Sequence, residues 1–497
     1  MKFERSSGIL FHPTSLPGKY GIGDLGSSAF ALIDFLKEIG CSLWQILPLG
    51  PTGYGNSPYQ SFSAFAGNPY LISPDILFQE GLLHSNDLVE ETRFSQTHVE
   101  YGRIIPWKLN LLERAFNKFF DSNSLLRNDY DAFCDENVYW LEDFALFMAQ
   151  KEAFGGGSWT NWPEPFRVRK PAFLNKARKN LKHSVERYKF YQFLFFRQWI
   201  SLKSYAHNSG IKIIGDIPLY VAHDSADVWA NSELFLLDTK GRPTVVAGVP
   251  PDYFSPTGQL WGNPIYQWDE HRATGFKWWI ERLRWTLYLV DVVRLDHFRG
   301  FAGYWEVPAE KSTAEYGRWV QGPGIEFFRQ MEKALDREAG LPLVAEDLGV
   351  ITQDVIKLRD QLKLPGMKIL QFAFSGSDNS FLPHHYSPNC VVYTGTHDND
   401  TTTGWFNSAP ERERLFAKDY LGVDGSDMAW DLIRAGWASV AVYALAPMQD
   451  FLKLDSKARM NYPSRIGGNW EWRMSEHYKD DGLIERLKKY NVLYGRS

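Results

Sequence analysis

Eight short apolar runs recur along the chain, near residues 9, 45, 213, 292, 344, 369, 392 and 443, with helix-like segments between them. This alternation constrains the fold most tightly. A strand joined to the next through a helix is the unit of a parallel sheet. Eight such units predict an α/β protein of the (β/α)8 TIM-barrel type. The alternative, an open doubly wound sheet, calls for a glycine-rich phosphate loop after the first strand. No loop of that spacing follows the run Gly8–His12. The 497 residues exceed a bare barrel, and the surplus falls in two places. Residues 50–185 read as an inserted, mainly helical subdomain after strand 2. Residues 219–270 read as a second insertion after strand 3, with GVPPDYFSPTGQLWGNP as an irregular Pro/Gly-rich loop. The whole chain, 1–497, is then one barrel with insertions.

The run VDVVRLDHFRG, residues 290–300, carries the densest chemistry. Side chains alternate along a strand, so Val292, Arg294 and Asp296 share one face, and Val293 and Leu295 the other. An arginine two residues before an aspartate favours the ionised carboxylate, and an ionised carboxylate at a strand end can act as a nucleophile. An ordinary buried ion pair would look the same in this segment alone. Other strand ends add acids: Asp216 ends the third run, Glu346 and Asp347 the fifth, His397 and Asp398 the seventh. In a barrel all strand C-termini open at one mouth, where active sites sit. Several acids gathered there cannot all ionise cheaply, so one is pushed toward its protonated form. One ionised and one protonated carboxyl is the equipment for glycosidic bond cleavage. On this reading Asp296 is the nucleophile, beside Arg294. Glu346 is the general acid/base, with no cation near it in sequence. Asp398 stabilises charge on the sugar ring. A metal site is the rival reading, but HExxH-type spacing is absent and THDND holds one histidine. No metal and no cofactor are expected.

Composition narrows the partners. The formal net charge of −5, without a basic block, argues against nucleic acid and anionic membranes. No apolar run approaches membrane-spanning length. MKFERSSGIL shows no signal-peptide pattern. Three widely spaced cysteines, Cys41, Cys134 and Cys390, give no disulfide framework and suit a reducing, cytoplasmic setting. Aromatic residues make up 15% of the chain. They serve either core packing or sugar stacking, and composition does not separate the two. Oligomeric state is left open.

The segments HPTSLPGKYGIGDLG, WQILPLGPTGYGNSPYQ, GDIPLYVAHDSADVW, GVPPDYFSPTGQLWGNPIY, VVRLDHFRG, VAEDLG and THDNDTTTGW resemble the 4-α-glucanotransferases (amylomaltases, disproportionating enzymes) of glycoside hydrolase family 77. The resemblance runs from about residue 8 to the end. It implies an α-amylase-like barrel without a separate C-terminal β-domain. It also implies transfer of an α-1,4-glucan segment to the 4-hydroxyl of another glucan by a retaining mechanism, with α-1,4-glucans and maltooligosaccharides as partners. By position, Asp296 matches the nucleophile, Glu346 the acid/base and Asp398 the transition-state stabiliser. Asp216, Arg294 and His397 match residues around the sugar at the cleavage point, and Tyr59 the aromatic platform below it. The 247–264 loop, with Pro250, Asp252, Tyr253, Phe254 and Trp261, matches a flexible loop over the acceptor side. Asn469 and Trp470 fall on a loop near the donor. Tyr54 matches one member of an accessory glucan site, with Tyr101 as its suggested partner. Two other functions stand beside transfer: an α-glucan hydrolase of the α-amylase type, and a non-catalytic glycan-binding barrel.

Overall fold

The computed structural model describes residues 3–89, 93–121, 124–251, 255–463, 465 and 467–496. Within them the strands are β1 (Ser6–Leu10), β2 (Leu43–Gln45), β3 (Lys212–Ile217), β4 (Val245–Val249), β5 (Gln259–Pro264), β6 (Val292–Leu295), β7 (Gly303–Pro308), β8 (Arg318–Gln321), β9 (Leu343–Ala345), β10 (Gly366–Ile369), β11 (Cys390–Tyr393) and β12 (Tyr443–Pro447). Eight of them form one parallel sheet in the order β10-β11-β12-β1-β2-β3-β6-β9. Its two edges meet across a short seam. The Ala345 amide donates to Pro365 O at 2.9 Å, and the Met367 amide to Asp347 Oδ1 at 2.7 Å. Asp347, one of the two acids ending the fifth barrel strand, is thus spent on closing the barrel.

Alternation sorts the side chains. Leu43, Ile214, Val292, Val344, Met367, Ile369, Val391, Tyr393, Tyr443 and Leu445 form one closed cluster, the barrel interior. Val293, Leu295, Leu343 and Val392 belong to the larger core, against the surrounding helices. Such layered filling makes the barrel a solid plug. One interior polar contact, Tyr393 hydroxyl to Gln45 Oε1 at 2.8 Å, ties β11 to β2.

Between β2 and the helix Lys182–Asn208 lie helices Tyr101–Asp121, Arg127–Glu136 and Val138–Ala153. Phe116, Phe119 and Tyr130 pack the first two onto Phe190 and Phe193 of that long helix, and Trp140 packs the third onto its Phe196. Trp44, Trp159, Trp199, Trp229, Trp279 and Trp437 are fully buried. Most of the aromatic excess is therefore core.

The stretch read as an irregular loop is partly regular. Its two ends are β4 and β5, paired antiparallel, and β7 and β8 complete a second sheet in the order β5-β4-β7-β8. Pro250 and Pro256 fall between the two strands and Pro264 ends β5, so no proline blocks the middle of either ladder. β7 and β8 lie outside the β–α alternation that the reading followed.

Among the described residues no strand follows β12. The chain instead runs through the helix Asp481–Leu493 back to the barrel floor. There Asn491 is fully buried. It accepts from the Ser7 hydroxyl at 2.6 Å and from Trp437 Nε1 at 2.7 Å, and donates to Ile39 O at 2.7 Å. One carboxamide thus joins β1, the first barrel helix, the last barrel helix and the C-terminus. Asn491→Ala orphans these buried groups and is expected to destabilise the protein by about 2–4 kcal/mol. Lys489→Ala, exposed on the same helix, should stay within about 0.5 kcal/mol of the parent. Denaturant unfolding of the pair checks this, and equal midpoints would contradict it.

Candidate active site

Strand register builds the site. β3 and β6 pair in parallel with Asp216 opposite Arg294. β6 and β9 pair with Leu295 opposite Ala345. Asp296 and Glu346 are therefore the next residues of neighbouring strands, whose backbones run about 4.8 Å apart. The Asp296 amide donates to Ile217 O at 2.9 Å, and the Glu346 amide to Leu295 O at 3.1 Å. Backbone pairing thus carries both acids to the same edge.

Arg294 is the hub. Its buried guanidinium donates through Nη1 to Asp216 Oδ2 and through Nη2 to Asp296 Oδ1, each at 2.7 Å. The planar fork serves two carboxylates on two strands, a geometry lysine cannot copy. Burial pushes the Asp216 carboxyl up, with the charge of Asp296 adding to it and Arg294 opposing. The Tyr59 hydroxyl donates to the same Asp216 Oδ2 at 2.8 Å. The Tyr59 ring stacks on His397, 5.0 Å between centroids at 20°, and tilts against Trp470 at 6.0 Å.

Glu346 is set differently. Its Oε2 accepts from the His297 amide at 2.7 Å and its Oε1 from the Leu348 amide at 2.9 Å. His297 adopts a left-handed conformation, φ 53°, in the turn directly after Asp296, a conformation that side chains disfavour. Burial first, then the charge of Asp296, push the Glu346 carboxyl up to about 7, against Arg294 and the two amides. The site therefore holds Asp296 gripped by a cation beside a Glu346 carboxyl that burial pushes up to about 7.

Asp398 closes the group. Asn461 Nδ2 donates to its Oδ1 at 2.7 Å, and His397 Nε2 lies 3.4 Å from its Oδ2. Burial would raise its carboxyl, but His397 and Asn461 outweigh burial and hold it well below the usual range. The rest of THDND builds the loop. Asn399 Oδ1 accepts from the Thr396 amide and hydroxyl at 2.8 and 2.9 Å, and Asp400 Oδ2 accepts from Ser456 at 2.7 Å.

The structure thus brings together Asp296, Glu346, Asp398, Asp216, Arg294, His397 and Tyr59. Trp261 stands beside them on β5, edge to face with His297 at 4.7 Å. Asn469 serves its own loop: Oδ1 accepts from the Tyr462 amide at 2.9 Å and Nδ2 donates to Arg465 O at 2.8 Å. Tyr54 is exposed on a short turn. Tyr101, suggested as its partner on a sugar-binding surface, has its hydroxyl engaged inside the protein. It keeps 8% of its surface exposed, and its hydroxyl donates to Trp470 O at 2.8 Å, so it props the Trp470 loop. Asp252, Tyr253 and Phe254 lie outside the described residues. Sequence reasoning missed Asn461 and Arg459, which donates to Asp398 O at 2.6 Å. Neither stands in a recognisable motif. It also missed His12, buried at the end of β1 and held neutral by burial and by His397. The described residues offer no cluster of three metal-ligating side chains.

Comparison with known proteins agrees with this geometry. The family model described as 4-alpha-glucanotransferase matches residues 11–479. The 4-alpha-glucanotransferase of Thermus thermophilus is 52% identical over 484 residues, covering 95% of each chain. That of Synechocystis is 51% identical over 498 residues, covering 99% of this chain and 98% of the relative. Among solved structures, an amylomaltase from Streptococcus agalactiae, in complex with acarbose, superposes with a TM-score of 0.95 at 38% identity, covering 99% of this chain and all of that one. With the barrel, the acids at its mouth and full-length similarity all in agreement, this chain belongs to glycoside hydrolase family 77, the family of the 4-alpha-glucanotransferases.

Proposed function

We propose that Asp296 attacks the anomeric carbon of an α-1,4-linked glucose while Glu346 protonates the leaving glycosidic oxygen. The protein is a transglycosylase of α-1,4-glucans, as its family and full-length relatives have it. The observation that carries the assignment is the contrast between two neighbouring carboxyls. Asp296 is held by Arg294, and Glu346 is pushed up to about 7 by burial and by Asp296 itself. A retaining double displacement needs this split.

In the first step the bond from C1 to the Asp296 oxygen forms as the C1–O4 bond breaks, and the Glu346 proton goes to the leaving oxygen. Glu346, now anionic, takes the proton of an incoming 4-hydroxyl, which displaces Asp296 from C1. Two inversions restore the α configuration. Asp398, ionised and fixed by His397 and Asn461, faces the positive charge that develops on the ring. The stacked Tyr59 offers a flat face to the same sugar, and Asp216 and His397 hold the groups that orient it. The acids alone do not choose between water and a glucan as acceptor. Holding a sugar where water would attack does so, and Trp261 together with the 247–264 segment is the proposed means. Tyr54, with its exposed ring, is a proposed secondary contact for glucan, Asn469 a residue that shapes the donor loop, and Asp252 an acceptor-side contact. The α-amylase-type hydrolase is not favoured by the family. Three thiols without a disulfide, Cys41, Cys134 and Cys390, fit a cytoplasmic location.

Incubation with maltotriose is expected to give glucose and longer maltodextrins while total reducing ends stay nearly constant. A steep rise in reducing ends would instead make the protein a hydrolase. Asp296→Asn removes the nucleophile but keeps its shape. Turnover should fall by about 10⁴-fold or more, with the melting temperature little changed. Activity near the parent's would refute the assignment. Glu346 must be protonated for the first step, so kcat/KM is full below its raised value and declines about tenfold per pH unit above roughly pH 7. An alkaline limb starting near pH 4.5 would place the proton elsewhere.

A further inference from the structure

Outside the mouth, the second sheet carries an aromatic ring that has a guanidinium over one face and a second indole against it, yet stays partly open to solvent. Trp319 of β8 lies directly opposite Trp305 of β7, so the two share a face of the sheet. Their rings meet edge to face at 5.3 Å and 67°. Trp305 is itself fixed. Its Nε1 donates to Ala314 O at 2.8 Å, and Gly317 approaches so closely that a β-carbon there would sit 2.2 Å from Nε1. The Arg299 guanidinium lies 4.0 Å over the Trp319 ring. Trp319 nevertheless keeps 46% of its surface exposed.

This ring is continuous with the catalytic loops. Arg299 belongs to the turn Phe298–Phe301, which follows Asp296. Its Nη1 donates to Val350 O, and Val350, itself exposed, lies in the loop that runs from Glu346 to the helix starting at Gln353. One arginine therefore ties Trp319 to the segments after both acids. The direction follows from the chemistry. The acid/base protonates the oxygen that departs with the reducing-end part of the donor, and an acceptor chain later occupies the same side. The loop of Glu346 thus borders the acceptor side, and Trp319 is joined to that loop through Arg299.

We propose that Trp319 is a remote acceptor-side subsite that stacks on a glucose ring of a long α-1,4-glucan, beyond the sugars gripped at the mouth. A pyranose offers an apolar C–H face to the indole, and the neighbouring guanidinium adds donors for hydroxyls. A ring already immobilised by Trp305 and Arg299 loses little freedom on binding. The inference rests on Glu346 being the acid/base, which fixes the side of the cleavage point on which the ring lies.

The test is chain-length preference, read as kcat/KM for maltoheptaose over that for maltotriose. In Trp319→Ala this ratio should fall about tenfold, the loss expected for one truncated aromatic contact, and the fall should appear in KM more than in kcat. Trp319→Phe keeps a stacking ring and should hold most of the preference. It also serves if the alanine variant folds poorly, as judged by its melting temperature. An unchanged ratio in both variants, a ratio that falls through kcat alone, or a phenylalanine variant as impaired as alanine would overturn the proposal. Failure of the acid/base assignment shows separately, as an unaltered pH profile in Glu346→Gln, whatever the ratio does.

Discussion

One buried cation organises the mouth of this barrel. Arg294 is out of reach of bulk water and holds a carboxylate on each side, Asp216 from β3 and Asp296 from its own strand. A guanidinium buried alone is costly, and so is either acid. Asp216, itself buried, offsets most of that cost, Asp296 keeps a partly exposed side chain, and the geometry of the three is set by the pairing of β3 with β6. Asp216 passes the constraint on, since it also accepts the Tyr59 hydroxyl. Tyr59 stacks on His397, and His397 faces Asp398. A chain of contacts that starts at one arginine thus reaches every acid at the mouth except Glu346.

Glu346 is free of that network, and this is what makes it different. It shares its strand edge with Asp296 but takes hydrogen bonds from two amides, His297 and Leu348, and none from a cationic side chain. Burial and the neighbouring charge win over two amides, so its carboxyl rises with no cationic donor hydrogen-bonded to it. The same fold edge thereby supplies two carboxyls with different tasks. The left-handed turn at His297 belongs to this arrangement, because it carries the amide that meets Glu346.

The parts around the barrel divide the remaining work. The antiparallel sheet β5-β4-β7-β8 brings Trp261 against His297 on its inner side and sets Trp319 over Arg299 on its outer side. The segment after β12 folds back across the mouth and delivers Asn461 and Trp470. Tyr101, from the helical region after β2, anchors Trp470 in turn. Residues far apart in sequence thus end in one hydrogen-bonded surround.

The sequence by itself determined the barrel and its acids. Eight apolar runs with helices between them leave few other folds, and strict alternation fixes which face Arg294 and Asp296 share. Acids at the ends of such runs must meet at one mouth, so Asp216, Asp296, Glu346 and Asp398 were legible without coordinates. The second sheet was not, because β7 and β8 lie outside the β–α alternation and gain their order only by pairing, β7 with β4 and β8 with β7. Nor were Asn461, Arg459 and His12, which stand in no motif and act through neighbours distant in the chain. Tyr101 shows the limit most plainly. A tyrosine reads the same whatever its hydroxyl meets, and only packing gives this one the Trp470 carbonyl. Local periodicity encodes direction along one segment, whereas protonation, burial and partnership depend on which segments meet, and that is decided by the tertiary structure.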